Sequence, residues 1–527
     1  MNRALPLLGM LAACSLRDPR VTVASCTSAS QCSRSDVCFL GECRAPSSNL
    51  SVVRVQVRPP STSLFGLKQT QLDLRESVLN DFKLDAALSI GTAPGSTPGT
   101  VLLAQDGAPP VPVAGATITF SDHSPLIPDR IEQVASVTDA TGNYGARLPR
   151  GSWDVHVVPP GLLPPIRYSP IDTSSGLTNF ILPATSTLAQ LTGTLSADAG
   201  PVAGASVTAV DAQGTAVSAS AISQPDGGYA MYLAPSSSQP LLQIGPRSDA
   251  DAGVASALPD PFPTYPGIAY AQSVDLQLTA LGTLSGRMVD STGAPIAGAR
   301  VAVRSTNMGW VLSRSAMTDS NGAYSVVVRQ GTYLAQAIPS ADPNAPALSG
   351  VQSVAVQSAA VSLDFACPLK VRRFGQVLGP DGRAVGINFQ IVATRLSDEL
   401  VTTRSAYTVP TDSNGLYHLI ADAGRWRLEV VPPATSPLPR KIVQVDLDGS
   451  QPAEAALPAV QISAPLEAVG TVRGSSPPPD LPVADAVVSF YALDSNGGSV
   501  FLGSSRTDAQ GRYTAIVPDV AQPGIGP

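Results

Sequence analysis

The sequence predicts an all-β protein: a tandem array of small β-sandwiches behind a short disulfide-rich N-terminal segment. Three recurring features predict it, namely a tight turn, an alternating strand ahead of each turn, and a glycine-led strand opening each unit. The turn is clearest at Thr318-Asp319-Ser320-Asn321-Gly322-Ala323-Tyr324. Asp, Asn and Gly accept the bridging or positive φ values that a corner needs, and strand-like runs lie on both sides. It recurs around Asp139, Gly142 and Tyr144, around Asp412, Gly415 and Tyr417, around Asp508, Gly511 and Tyr513, and in a looser form at Asp226, Gly227 and Tyr229. Successive tyrosines are 85, 95, 93 and 96 residues apart, a period that suits one small sandwich per copy.

The preceding strand begins with a Pro/Gly entry. It reads Pro295-Ile296-Ala297-Gly298-Ala299 in the third copy, Pro112-Val113-Ala114-Gly115-Ala116 in the first, Pro201-Val202-Ala203-Gly204-Ala205 in the second and Pro482-Val483-Ala484-Asp485-Ala486 in the fifth. The fourth copy, around Ala384 to Ile391, is degenerate. Each unit opens with a Gly-x-aliphatic strand: Gly99-Thr100-Val101, Gly193-Thr194-Leu195, Gly286-Arg287-Met288, Gly375-Gln376-Val377 and Gly470-Thr471-Val472. After the turn comes another alternating strand, as in Trp153-Asp154-Val155-His156-Val157 and Trp426-Arg427-Leu428-Glu429-Val430, whose bulky alternate residues should be core.

Co-occurring in this order, these motifs resemble the carboxypeptidase regulatory-like domain over residues from about 99 to 520. The resemblance implies transthyretin-like or immunoglobulin-like β-sandwiches and leaves function open. It places repeats at 99–185, 186–280, 281–366, 367–465 and 466–527. The fifth lacks the Gly-x-[Trp/Tyr] strand after its turn, so it is expected to be incomplete, with an edge that another chain could fill as the alternative. Residues 48–98 form a separate N-terminal β region in this reading, and the Pro/Gly-rich joints predict domains that are only weakly coupled.

Residues 1–13 carry a basic Arg3 and an apolar run from Ala4 to Ala13, too short to span a bilayer and suited to a signal peptide. Leu11-Ala12-Ala13-Cys14 resembles a bacterial lipobox, which implies acylation of Cys14 and attachment to a membrane; an ordinary secreted protein cut near Ala13 is the alternative. Ser15, with no Asp at that position, implies the outer membrane by the sorting rule of enteric bacteria. Within 14–47, Cys26, Cys32, Cys38 and Cys43 are too dense for a segment that can bury no core of its own, and in an exported chain they read as two disulfides of open connectivity. A four-thiolate zinc site is the competing reading, and the missing Cys-x-x-Cys knuckles weigh against it. The spacing is similar to Cys-rich segments of myxobacterial lipoproteins.

The chain has net charge −7 and no basic cluster, so nucleic acid is not an expected partner. Its three histidines, His123, His156 and His418, have no metal-binding neighbourhood, and no catalytic constellation, cofactor motif or metal site is legible. The turn aspartates offer calcium one or two oxygens each where six to eight are needed, so they read as caps of backbone N–H groups. The repeated tyrosines read as anchors of the corner, Cys367 as a small buried residue, and Trp310 as a loop tip. Adhesin sandwiches that carry isopeptide cross-links are similar but need a lysine in each domain. Here the lysines are Lys68, Lys83, Lys370 and Lys441, and the first, second, third and fifth repeats have none. The expectation is therefore a non-catalytic envelope lipoprotein with a structural, adhesive or binding role. A carbohydrate- or peptidoglycan-binding protein is the alternative, and an accessory subunit of a secreted enzyme a weaker one; the partner would be an envelope glycan or protein.

Overall fold

A computed structural model describes residues 37–39, 42–44, 52–74, 80–91, 98–172, 179–197, 200–211, 215–234, 241–246, 273–278, 281–306, 313–357, 359–396, 400, 406–450, 454–475, 480–493 and 498–518. Cys14, Cys26, Cys32 and Trp310 lie outside them. The described chain is a tandem series of β-sandwiches with one apolar core each.

The third sandwich shows the plan. Its first sheet centres on Leu281–Asp290, which pairs antiparallel with Ala323–Arg329 and parallel with Ala360–Ser362 and Phe365–Cys367. Its second sheet runs Ser313–Met317, Arg300–Ser305, Gly331–Ile338, Gln352–Val356. The period-2 alternation places Val301, Val303, Tyr333, Ala335 and Ala337 on the inner face, against Leu284, Met288, Val326 and Phe365. In the fourth sandwich the same inner position holds Trp426, fully buried, whose indole N–H donates to Asp422 O at 2.9 Å.

The structure also shows why the sequence motifs travel together. Thr318 Oγ1 donates to Ile296 O at 2.7 Å and accepts from Ala299 N at 2.9 Å, locking the turn onto the Pro/Gly strand entry. Thr138, Thr411 and Thr507 do the same in their repeats. Those bonds align Asn388, at φ 72°, and Asp485, at φ 58°, with the positive-φ Gly298 of the third repeat. The fourth copy is thus intact as Gly386-Ile387-Asn388-Phe389, disguised because Asn tolerates the left-handed region nearly as Gly does.

Two expectations are corrected. Residues 48–98 are not a domain of their own, and the fifth repeat is not an open half-sandwich. Val52–Arg58 lies between Lys68–Asp73 and Val487–Leu493, in a sheet completed by Ser499–Arg506. Phe82–Leu84 pairs parallel with Pro465–Gly474, which also pairs with Arg512–Pro518. The N-terminal segment supplies the three strands missing from repeat five, in the positions that Gly424–Val431, Lys441–Leu447 and Val460–Gln461 hold in repeat four. One core joins Val53, Val55, Val57, Phe82 and Leu84 to Val472, Val488, Phe490, Tyr513 and Val517. Neither segment has enough apolar neighbours of its own, which is the physical reason they associate. Leu88–Ile90 belongs instead to the first sandwich, where it pairs with Ala146–Leu148 and Ile90 joins the core.

Weak coupling fails between repeats three and four. Ala302, Ile338 and Leu348 cluster with Leu400 across the joint. Leu348 N donates to Asp422 Oδ1 at 3.0 Å and Leu400 N to Gln336 Oε1 at 3.3 Å. Lys370, 5 % exposed, donates to Ala341 O and Asp342 O and sits 5.9 Å from the Tyr407 ring centroid. Gly322→Val tests the joint. Gly322 has φ +73°, and a Cβ there would stand 2.4 Å from Met288 O. The variant should destabilise repeat three by about 1–3 kcal/mol. Limited proteolysis should then show cleavage spreading into 371–462, with repeat one unchanged; unaltered protection of repeat four would mean the joint transmits nothing.

Candidate functional site

The recurring polar residues are committed to their own backbone. Asp319 Oδ1 accepts from Asn321 N at 2.8 Å and Ala323 N at 2.9 Å. Asp139, Asp412 and Asp508 each accept from the same two positions, and Asp226 from Gly228 N. At Asp139 the Thr141 hydroxyl, followed by the N–H groups of Asn143 and Thr141, holds the carboxyl below its usual range. The tyrosines reach across the sheet. Tyr229 donates to Val274 O and Tyr324 to Leu363 O, both at 2.6 Å, and Tyr513 to Asn80 O at 2.9 Å. Burial raises the phenol pKa of Tyr144, Tyr324, Tyr417 and Tyr513, so all stay protonated. Gly142, Gly227, Gly415 and Gly511 hold the corresponding turns at positive φ.

The acceptor of Tyr513 comes from the far end of the sequence. Asp81 Oδ1 accepts from both Thr471 N and Thr471 Oγ1 at 2.8 Å, as Asp275 Oδ1 does from Thr194 N at 2.9 Å and its hydroxyl at 2.8 Å. Val274-Asp275-Leu276-Gln277-Leu278, Leu363-Asp364-Phe365-Ala366-Cys367 and Asn80-Asp81-Phe82-Lys83-Leu84 are one motif. That shared x-Asp-apolar-x-apolar pattern was the signal in the sequence that could have joined the two ends.

The first sandwich rests on this closing sandwich. Gln69 accepts from Ile127 N at 3.2 Å and donates to Arg130 O at 3.1 Å; Arg58 pairs with Glu132 at 3.0 Å; Arg147 donates to Ser63 O. The Arg130 guanidinium lies 5.6 Å from the Tyr491 ring centroid. Two clefts flank the seam. One of about 300 Å³ is lined by Lys68, Asp85, Asp122, Glu132, Arg150 and Trp153, and one of about 410 Å³ by Gln56, Arg58, Asp129, Arg130, Ser489 and Tyr491. Both offer hydrogen-bonding and charged groups. The aromatic wall of the first, Trp153, is buried with its N–H on Pro149 O, so it presents no ring face for a sugar to stack on.

One grouping beside the first cleft was illegible in the sequence, because its members are far apart in the chain. His123 Nδ1 lies 2.7 Å from Asp154 Oδ1 and 3.4 Å from Ser169 Oγ, and Ser169 Oγ donates to that same carboxylate oxygen. A nucleophilic relay needs Ser and Asp on opposite nitrogens of the imidazole. Here both meet Nδ1, so the cluster ties strands together and does not activate the hydroxyl. Burial pushes the Asp154 carboxyl up, and the bonds from Ser169 and His123 with the charges of His123 and Arg167 outweigh it, leaving it below its usual range. Burial and Arg167 lower the pKa of His156, and His418 pairs with Glu454 at 2.9 Å on an exposed surface. Among the described residues no group of three His, Cys, Asp or Glu side chains could hold a metal.

Cys38 faces Cys43 in the antiparallel pairing of Val37–Phe39 with Glu42–Arg44. Cys367 is buried in the core of repeat three and forms no disulfide. Lysine does reach the fifth sandwich, through the N-terminal segment: Lys83 Nζ is 3.1 Å from Asp480 Oδ1, but both side chains are about half exposed and form an ordinary surface ion pair.

No curated protein matches the chain. Among solved structures, the Bacillus anthracis TIE protein aligns at 9 % identity over 72 % of this chain and 75 % of its own, with a TM-score of 0.17. A streptococcal ancillary pilin aligns at 10 % identity over 52 % of this chain and 99 % of its own, TM-score 0.22. The minor pilin GBS52 of Streptococcus agalactiae aligns at 12 % identity over 38 % and 99 %, TM-score 0.24. Residues 283–366, the third sandwich, match the model of the carboxypeptidase regulatory-like domain.

Proposed function

We propose that this protein is a non-catalytic lipoprotein of the cell envelope, acylated at Cys14 and displaying its β-sandwiches as a structural or adhesive module at the outer membrane. The observation that carries this reading is the use made of the repeated polar residues. Turn aspartates and threonines, and the tyrosines Tyr229, Tyr324 and Tyr513, bond to backbone, and the Ser169, His123 and Asp154 cluster has the wrong geometry for nucleophilic chemistry. Such a chain uses its repeated polar residues to fix its shape. Among the described residues no helix is long and apolar enough to cross a membrane; in this reading the lipid on Cys14 supplies the attachment. The register that sets Cys38 opposite Cys43 supports a disulfide between them.

Metabolic labelling with a palmitate analogue should mark the wild-type chain and leave Cys14→Ser unmarked, with the variant shifting to the soluble envelope fraction. Equal labelling of both chains refutes the lipoprotein reading. A second reading, binding of an envelope glycan or protein, is favoured by the polar clefts at the seam of repeat one. A glycan array combined with envelope pull-down separates the two, since a purely structural module retains nothing saturable.

A further inference from the structure

We propose that the closing sandwich is exchangeable between molecules: residues 52–84 of one copy complete the 465–518 half of another, and the chain assembles with itself by strand exchange.

The inference starts from the seam. The two halves meet through the ladder from Arg54↔Tyr491 to Arg58↔Val487 and the parallel ladder from Val472↔Phe82 to Gly474↔Leu84, and all of it is noncovalent. The halves are separated in sequence by residues 85–464, which hold four other sandwiches. When the seam opens, each half exposes strand edges and half a core at once. On the C-terminal half these are the edges of Val487–Leu493 and Pro465–Gly474 and the apolar faces of Val488, Phe490 and Val472. Such edges recruit a strand from whatever chain supplies one.

The vacated site is specific. It asks for a carbonyl to accept from Tyr513, an acceptor for Thr471, and aromatic and aliphatic residues at the two following inward positions. Asn80-Asp81-Phe82-Lys83-Leu84 meets every demand, and a second copy offers the identical segment. Exchange therefore changes no contact within the sandwich and alters only which molecule contributes each half, the condition under which swapping is cheap. Intramolecular closure has to bring together the ends of a long multidomain tether, whose effective concentration falls with length, so a neighbouring copy competes. The N-terminal segment carries repeat one with it through Arg58, Gln69 and Ser63, whereas the C-terminal half is attached to repeat four, where the Arg440 guanidinium lies 4.7 Å from the Phe501 ring centroid. Exchange is consequently head to tail, giving rings or filaments according to whether the rotation closes.

The test uses two full-length chains with different affinity tags, co-expressed, one with Gln56→Cys and the other with Ser489→Cys. Gln56 and Ser489 are direct cross-strand partners. Exchange yields a disulfide linking the peptides around positions 56 and 489 in material that carries both tags, several-fold above a control in which both chains bear Gln56→Cys. The double variant Gln56→Cys/Ser489→Cys, expressed alone, reports the register by closing within or between chains. If it closes only as a monomer and the mixed pair gives no 56–489 link, exchange is refuted; if it does not close at all, the seam itself is refuted and the proposal with it.

Discussion

A chain ending at residue 464 should lose order at its opposite end, with amide-exchange protection of residues 52–84 collapsing although that segment is intact. In the full chain Val53, Val55, Val57, Leu74, Phe82 and Leu84 are at most 7 % exposed, within a core that also contains Ala468, Val472, Val488, Phe490 and Val517. Each such side chain is worth about 1.5–3 kcal/mol when fully buried, so losing the partner half removes more than a small sandwich can spare. Repeats two and three, whose cores share no residue with this one, should keep their protection. By contrast, breaking the exposed Lys83–Asp480 pair with Asp480→Asn should cost about 1 kcal/mol or less, because solvent screens it. Persistent protection of 52–84 in the truncated chain would show that the N-terminal segment folds without the C-terminal half.

Gly470→Ala should open the same seam by a single methyl group. A Cβ at position 470 would stand 1.9 Å from Asn80 O and 3.0 Å from Tyr513 Cε1. The first of these is backbone, so no rotamer change relieves it, and Phe82–Leu84 has to leave its place beside Pro465–Gly474. Tyr513 then loses its acceptor and Phe82, 5 % exposed in the intact sandwich, loses its cover. We expect a loss of about 3 kcal/mol, at the upper end for overpacking a core, with new protease cleavage at both 75–86 and 466–518. Tyr513→Phe, which removes only the hydroxyl and its hydrogen bond to Asn80 O, should cost about 0.5–1.5 kcal/mol and leave the strand in place. Unchanged thermal unfolding and cleavage for Gly470→Ala would rule out the parallel pairing of the two ends.

The sequence alone determined what is local and repeated. Turn chemistry at Asp319, Gly322 and their counterparts, period-2 alternation, and the spacing of the tyrosines were enough to define an all-β tandem array, because those signals act within a few residues and recur five times. It also determined which bulky residues, such as Trp153 and Trp426, face inward. What it did not disclose is how non-neighbouring segments meet. The fourth copy was hidden because Asn388 replaces a glycine at a positive-φ position whose role is visible only through Thr411. The joint of repeats three and four depends on Leu400, Asp422 and Lys370 meeting groups in the preceding repeat, and no periodic pattern marks such contacts. The grouping of His123, Asp154 and Ser169 arose because adjacent strands and a loop bring distant positions onto one ring nitrogen. Above all, only the tertiary structure decided that the beginning and end of the array are one domain. Burial of apolar surface is indifferent to sequence separation, so a half-core at residues 52–84 and a half-core at 465–518 are satisfied by each other, across everything that lies between.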